Sequence, residues 1–286
     1  MRYVSLSAPM DGSASGALGR VAQTLAATLA GLIVASMPVV AEGGASGFDT
    51  VVIDAGHGGE DHGARSSAGL AEKEIVLDVS QRLAARLRAR GLSVELTRSD
   101  DRFVPLGART SLANQAGGDL FISVHANSAE TARPRGVETY YVSLDASDPG
   151  AGRLALREND SFGKGSPGPV RADPLAALLG DLVLTEHVHE SSEFAKLVQG
   201  ELAGLGGGDQ RGVKQAPFVV LMGVEMPAAL IEIGFLSNPE EERQLRSARQ
   251  REAIAESIAR AVETFGKRYD ARRGVEKGIF GLGAAR

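Results

Sequence analysis

The chain has 286 residues, enough for one sizeable domain with a buried core, and its 43% hydrophobic and 23% charged residues are ordinary for a globular protein. A formal net charge of −5, no tryptophan and no basic stripe interleaved with aromatics argue against a nucleic-acid platform and against a purely electrostatic grip on an anionic polymer. The lack of cysteine excludes disulfides and thiolate metal sites, and leaves His, Asp and Glu as the strong ligand types.

At the N-terminus, Arg20 precedes VAQTLAATLAGLIVASMPVVA. Its apolar stretch from Thr24 to Met37 has the length of a signal-peptide core and falls short of the roughly 20 apolar residues of a spanning helix. Pro38 breaks the helix, and Val39-Val40-Ala41 is a small-residue cleavage site. Residues 1–41 are therefore expected to be a signal peptide, and the protein to be exported to the periplasm or cell envelope without membrane contact after cleavage. An uncleaved anchor is the alternative, and it also exports the bulk of the chain. The weakly charged segment before Arg20 leaves Met10 as an alternative start. Residues 42–49 read as a Gly/Ser/Ala linker.

Strand and helix signals then alternate. Thr50–Asp54 is a β-branched run stopped by Gly56-His-Gly-Gly59. Residues 71–90 carry apolar positions mainly at helical spacing and are closed by Gly91. Leu92–Thr97 reads as a strand, Pro105–Gln115 as a helix, and Asp119–His125 and Gly136–Val142 as strands. From Ser143 to about Gly208 the pattern becomes helical, with pieces at Arg153–Asp160, Pro174–His189 and Ser192–Leu205 joined by Gly/Pro/Ser-rich stretches. Phe218–Met222 and Ala228–Ile233 read as strands, and helices near 239–245 and 247–268 close the chain. The expected fold is α/β: a single domain (residues 50–268) with a central mixed, mostly parallel sheet flanked by helices. A helical insert at 143–208 and a tail at 269–286 complete it.

Four polar residues fall at or near the ends of these buried strands or at a helix start, where α/β proteins place their sites. They are His57 after the first strand, Glu72 opening the first helix, His125 ending DLFISVH, and Glu232 inside AALIEI. Two histidines and a carboxylate are a common hydrolytic zinc set that keeps a fourth position open for water. Glu232 suits proton transfer, because burial in an apolar strand raises a carboxyl pKa towards neutrality. By spacing alone, structural histidines and a helix-start surface charge account for the first three equally well. No H-E-x-x-H helix fixes their geometry.

The motifs VVIDAGHGGEDHGA, AEKEIVLDVS, GLSVELTRSDD, RTSLANQAGGDLFISVHANS, RGVETYYV and PAALIEIGFLSNPEEE together resemble the amidase-3 family of N-acetylmuramoyl-L-alanine amidases. The resemblance runs in order from about Thr50 to Phe265. It implies that His57, Glu72 and His125 hold Zn2+ and that Glu232 is the catalytic acid/base. The implied reaction is hydrolysis of the amide between N-acetylmuramic acid and L-alanine in peptidoglycan, for wall remodelling and daughter-cell separation. Zinc polarises the lactyl carbonyl, and Glu232 takes the proton of the attacking water and returns it to the departing amine.

The insert is similar to that of division-associated amidases, in which a helix covers the active site until a protein activator removes it. The matching position is Glu158, which gives an inhibitory fourth ligand; a surface helix with no contact to the site is the alternative. His62, where the family usually has Pro, reads as an exposed loop histidine, and His187 and His189 as solvated or structural. Arg98 and Arg109 are expected to tie loops together. Asn127 lies close enough in sequence to His125 to line the site. Two rival functions are a zinc peptidase cutting within the stem peptide and a catalytically dead binding module. The second predicts losses among the site residues, and this chain shows none.

Overall fold

The computed structural model describes residues 47–161, 187–205, 211–275 and 279. The signal peptide, most of the linker, the Gly163–Gly168 stretch, the bulk of the helix expected at 174–189 and most of the tail lie outside the described residues.

In chain order the strands are β1 (Thr50–Ala55), β2 (Ser93–Leu96), β3 (Leu120–Asn127), β4 (Glu138–Val142), β5 (Val213–Ala216) and β6 (Ala228–Phe235). The helices are α1 (Glu72–Arg88), α2 (Leu106–Gln115), α3 (Pro149–Glu158), α4 (His187–Ala203), α5 (Pro239–Arg246) and α6 (Ala248–Arg272). One six-stranded sheet has the order β2-β1-β3-β6-β4-β5. All neighbours pair parallel except β4 against β6, which is antiparallel. The sheet is thus mixed and mostly parallel, flanked by helices.

Residues alternate between the two faces of each strand. Val51, Ile53 and Ala55 of β1, Leu120, Ile122, Val124 and Ala126 of β3, and Ala229, Ile231 and Ile233 of β6 pack into one core with α1, α4 and α6. Val52, Phe121, Ala228 and Leu230 belong to a second core on the opposite face, under α2 and α3. Helix α1 shows why the first core forms. Ile75, Val76, Val79, Leu83 and Leu87 recur at three- and four-residue spacing and are buried, and Gly91 (φ 89°) turns the chain out of the helix. Truncating the fully buried Leu83 to Ala costs about 2–5 kcal/mol.

Three expectations shift. The apolar run Phe218–Met222 is not a strand but is centred on a 3-10 turn at Val219–Leu221, and the strand is the half-polar Val213–Ala216 just before it. A short apolar run cannot by itself distinguish a strand from a buried turn. Here Pro217 ends the ladder, and the turn is tied down by Val219 N donating to Asn159 Oδ1 at 2.8 Å. Helix α3 begins at Pro149 rather than Arg153, because Asp148 caps it through Ala151 N. Helix α6 runs on to Arg272, and buried Asp270 accepts from Phe48 N at 2.7 Å.

Candidate metal centre

On the second face of the sheet, strand alternation changes character along its length. Val52 is followed by Asp54 in β1, Phe121 by Ser123, His125 and Asn127 in β3, and Leu230 by Glu232 in β6. This face is apolar where the parallel strands begin and polar where they end, the end at which open α/β sheets bind ligands. Strand β4, running the other way, brings Glu138 into register with Glu232.

The loop after β1 carries His57 at φ 57°, the one non-glycine among the described residues in the left-handed region. That conformation costs about 1–2 kcal/mol and persists only where the surroundings enforce it. Two buried arginines do so. Arg109 donates to the carbonyls of Ala55, His57 and Val104 at 2.7–2.8 Å, and Arg98 to those of Ala55 and Gly56 at 2.9 and 2.7 Å. Arg109 is anchored in turn by fully buried Asp54 at 2.7 Å, which also accepts from Thr97 and Ser123. Burial pushes the Asp54 carboxyl up, but Arg109 and Thr97 outweigh it and hold the pKa below the usual value. Burial, and the like charge of Arg109, bring Arg98 down to about 10.

His57, Glu72, His125 and Glu158 each present one ligand atom within 4.8 Å of the others. His57 Nε2 lies 3.1 Å from Glu72 Oε2 and 3.2 Å from Glu158 Oε2. His125 Nδ1 lies 3.0 Å from Glu72 Oε1 and 3.1 Å from Glu158 Oε2. The chain packs tightly around them. A Cβ on Gly56 would fall 2.5 Å from the His125 ring, and one on Gly63 (φ 62°) 2.5 Å from Glu72 Oε2. Glu72 is aimed by two backbone donors, Ala64 N at 2.8 Å and Ala126 N at 2.9 Å. Asp61 Oδ2 lies 3.1 Å from His57 Nδ1. A carboxylate only accepts, so Nδ1 carries a proton, and Nε2 is the ring nitrogen turned to Glu72 and Glu158.

Burial lowers the affinity of both imidazoles for a proton, but the facing carboxylates prevail. Glu72 and Asp61 hold the His57 pKa well above its ordinary value, and Glu158 and Glu72 bring His125 up to about 10. The cluster therefore attracts positive charge. Glu232 stands beside it with the opposite character. Both of its oxygens are buried without a hydrogen-bond partner. Burial, reinforced by the charge of Glu158, pushes its pKa well above the carboxylate range.

The five residues expected at the site, His57, Glu72, His125, Glu158 and Glu232, thus converge. His62 is exposed and stands outside the cluster, His189 is exposed, and His187 pairs with Glu190 at 3.5 Å. Sequence reasoning missed Asp61, Glu138 and Arg157. The first two lie inside recognisable motifs, but nothing in their spacing announced a partner. Beside the cluster a cleft of about 620 Å³ runs between the β3 end, β4 and α3, lined among others by Asn127, Glu138, Arg157, Arg211 and Phe235.

Two histidines and carboxylates converging at the end of a mostly parallel sheet, beside a partnerless buried carboxyl, define a centre of the metallohydrolase type. The chain belongs to the Amidase_3 family, N-acetylmuramoyl-L-alanine amidase, whose profile matches residues 51–264. It is 36% identical over 217 residues to the N-acetylmuramoyl-L-alanine amidase AmiC of Neisseria meningitidis serogroup B, covering 75% of this chain and 52% of that protein, about half its length. It is 34% identical over 233 residues to AmiA of Escherichia coli K12, covering 81% of each. Among solved structures it is similar to the N-acetylmuramoyl-L-alanine amidase of Clostridium difficile 630, with TM-score 0.60, 27% identity, and 77% of this chain and 97% of that one covered. The amidase AmiC2 of Nostoc punctiforme gives TM-score 0.57 and 30% identity, covering 77% and 98%.

Proposed function

We propose that this protein hydrolyses the amide bond between N-acetylmuramic acid and L-alanine in peptidoglycan, with zinc held by His57, Glu72 and His125 and with Glu232 as catalytic acid/base. The observation that carries the reading is the convergence of the ligand cluster on partnerless Glu232, in a chain whose relatives bear the name of this activity.

The donor set fits zinc. One ligand atom from each of His57, Glu72, His125 and Glu158 lies within 4.8 Å of the others, close enough for a single ion to be held among them. His57 Nε2 and Glu158 Oε2 are both buried and left without a satisfied hydrogen bond, and a bound cation would satisfy them. Nitrogen and carboxylate donors without thiolate suit zinc among the hydrolytic metals. When bound, zinc supplies Lewis-acid polarisation of the scissile carbonyl and acidifies water.

The chain's own residues do the rest. Glu232, raised in pKa, accepts the proton of the attacking water on a bare carboxylate oxygen and returns it to the leaving L-alanine nitrogen. Such transfer contributes about 10²–10⁴-fold. Asp61 holds the tautomer of His57, and Asp54 with Arg109 and Arg98 holds its loop. Glu158 takes the place that the substrate carbonyl needs, and the protein is latent in this arrangement until α3 is moved, by a protein activator that docks on the insert. Export to the cell envelope through the leader of residues 1–41 and a part in daughter-cell separation complete the reading. Among the described residues no helix is long and apolar enough to cross a membrane.

The test is incubation of residues 42–286, with and without Glu158→Ala, with a defined disaccharide–peptide, the products read by mass. A free disaccharide and an intact stem peptide beginning at L-alanine support the reading. Fragments cut within the stem assign the protein as a peptidase instead.

A further inference from the structure

The residue beside Glu158 grips the strand end next to the cluster. Arg157 Nη1 donates to the Ser128 carbonyl at 2.7 Å, and Nη2 to Asn127 Oδ1 at 2.9 Å. Asn127 is buried and its amide has only one way round. Nδ2 donates to Glu138 Oε2 at 3.0 Å, and Glu138 receives Arg211 at 2.7 Å and Lys214 at 2.8 Å on its other oxygen. Burial disfavours that charge, but the two cations hold the pKa of Glu138 below its usual value, so it is a carboxylate and can only accept. The Asn127 amide oxygen therefore faces away from Glu138. There it takes Ser128 N at 2.7 Å and the guanidinium of Arg157. Asn127 Oδ1 and the Ser128 carbonyl make a paired acceptor on the end of β3, two and three residues past His125, in the wall of the cleft.

Glu158 stands between His57 and His125, so substrate entry requires α3 to leave, and Arg157 leaves with it. The Ser128 carbonyl then loses its guanidinium donor and Asn127 Oδ1 keeps only Ser128 N, so each has acceptor capacity free at the edge of the reacting centre. The substrate class proposed above brings donors: the peptide N–H groups of the stem and the acetamido N–H of muramic acid.

We infer that Asn127 Oδ1 and the Ser128 carbonyl form the amide-docking pair of the substrate site, receiving a substrate N–H, and that Arg157 stands in that donor's place in this structure. Asn127 is a positioning residue that touches substrate, and Glu138, with Arg211 and Lys214, sets its orientation. The inference rests on the peptidoglycan reading for the identity of the donor, and its test does not depend on hydrolysis.

Calorimetric titration of residues 42–286 carrying Arg157→Ala and Glu158→Ala, with and without Asn127→Ala, uses three probes. These are the dipeptide L-alanyl-D-glutamate, its ester analogue with oxygen in place of the peptide N–H, and N-acetylmuramic acid. With the stem as source, the dipeptide binds more tightly to the opened protein than to the unaltered chain. The ester swap then weakens binding by about 2–12-fold, as loss of one hydrogen bond does, and adding Asn127→Ala erases that difference. Loss of N-acetylmuramic acid binding with Asn127→Ala, and an ester swap without effect, place the donor on the acetamido group instead. The ester probe leaves the protein unaltered, so a folding defect in the Asn127 variant cannot mimic its effect. Affinities indifferent to Asn127, an ester effect of equal size with and without it, or no binding of any probe to the opened protein overturns the inference. Asn127-dependent binding by a protein that cuts no muropeptide sinks the reaction assignment and leaves the docking pair standing.

Discussion

Glu232 and Glu138 are register partners across the β6–β4 pair, yet their carboxyls live in opposite electrostatic settings. Glu138 receives Arg211, Lys214, Asn127 and the Tyr140 hydroxyl, whereas Glu232 receives no hydrogen bond. One is pinned as an anion and the other is left poised for proton exchange, the split that acid–base chemistry exploits. Glu232→Gln is expected to lower muropeptide hydrolysis by about 10²–10⁴-fold. It should leave the melting temperature unchanged or higher, because it breaks no ion pair. Parallel activity and thermal-melt measurements check this, and a melting temperature several degrees lower would count against it.

The same pair gives a pH prediction for stability. The folded pKa of Glu138 lies below its ordinary 4.5, because Lys214 and Arg211 outweigh its burial. A depressed folded pKa means that the contribution is full above the unfolded value and is lost as pH falls from about 4.5 through the folded value. Glu138→Gln should therefore destabilise the protein at pH 7 and progressively less below pH 4.5. Urea unfolding at pH 7 and pH 3 reads the difference, and an equal loss at both pH values would contradict it.

Glu158→Ala removes the carboxylate that lies 3.2 Å from His57 and 3.1 Å from His125. It is expected to raise basal hydrolysis by about tenfold or more, a change of about 1.4 kcal/mol or more in the closed-to-open balance. Unchanged basal activity in dye-release from labelled peptidoglycan removes the latent reading.

Arg109 bonds the Ala55 and His57 carbonyls at the end of β1 and in its loop, the Val104 carbonyl ahead of α2, and the buried Asp54 carboxylate. Arg109→Ala leaves that carboxylate uncompensated and the strained His57 backbone unsupported, a loss of about 3–5 kcal/mol. Arg109→Lys recovers little, since an ammonium cannot span the same acceptors. Chemical denaturation of both variants checks the magnitude, and a lysine variant as stable as the parent would refute the bridging role.

How much of this was legible follows from the kind of signal each part leaves. The mixed, mostly parallel sheet was readable because β1, β3 and β6 are buried on both faces and leave continuous apolar runs. His57, His125 and Glu232 stood out as polar interruptions at or near the ends of those runs. The 3-10 turn at Val219–Leu221 was misread because its apolar run is as buried as a strand, while β5 (VKQA) is a half-buried edge strand with little apolar pattern. Glu138 and Arg157 were not legible because their partners come from other elements, and Asp61 was not because its contact with His57, four residues away, depends on a loop conformation that leaves no periodic pattern. Arg157, an ordinary helix-end cation in sequence, reaches Asn127, which is 30 residues away.

The most direct measurement is metal dependence of the proposed cleavage. Residues 42–286 carrying Glu158→Ala are stripped with a chelator, assayed on purified peptidoglycan and titrated with zinc, with products read by mass. The expected result is release of stem peptides beginning at L-alanine, abolished by stripping and restored at about one zinc per chain, with no restoration when His125→Ala is added. Cleavage that survives chelation, or a zinc requirement that His125→Ala leaves untouched, contradicts the assignment of the cluster.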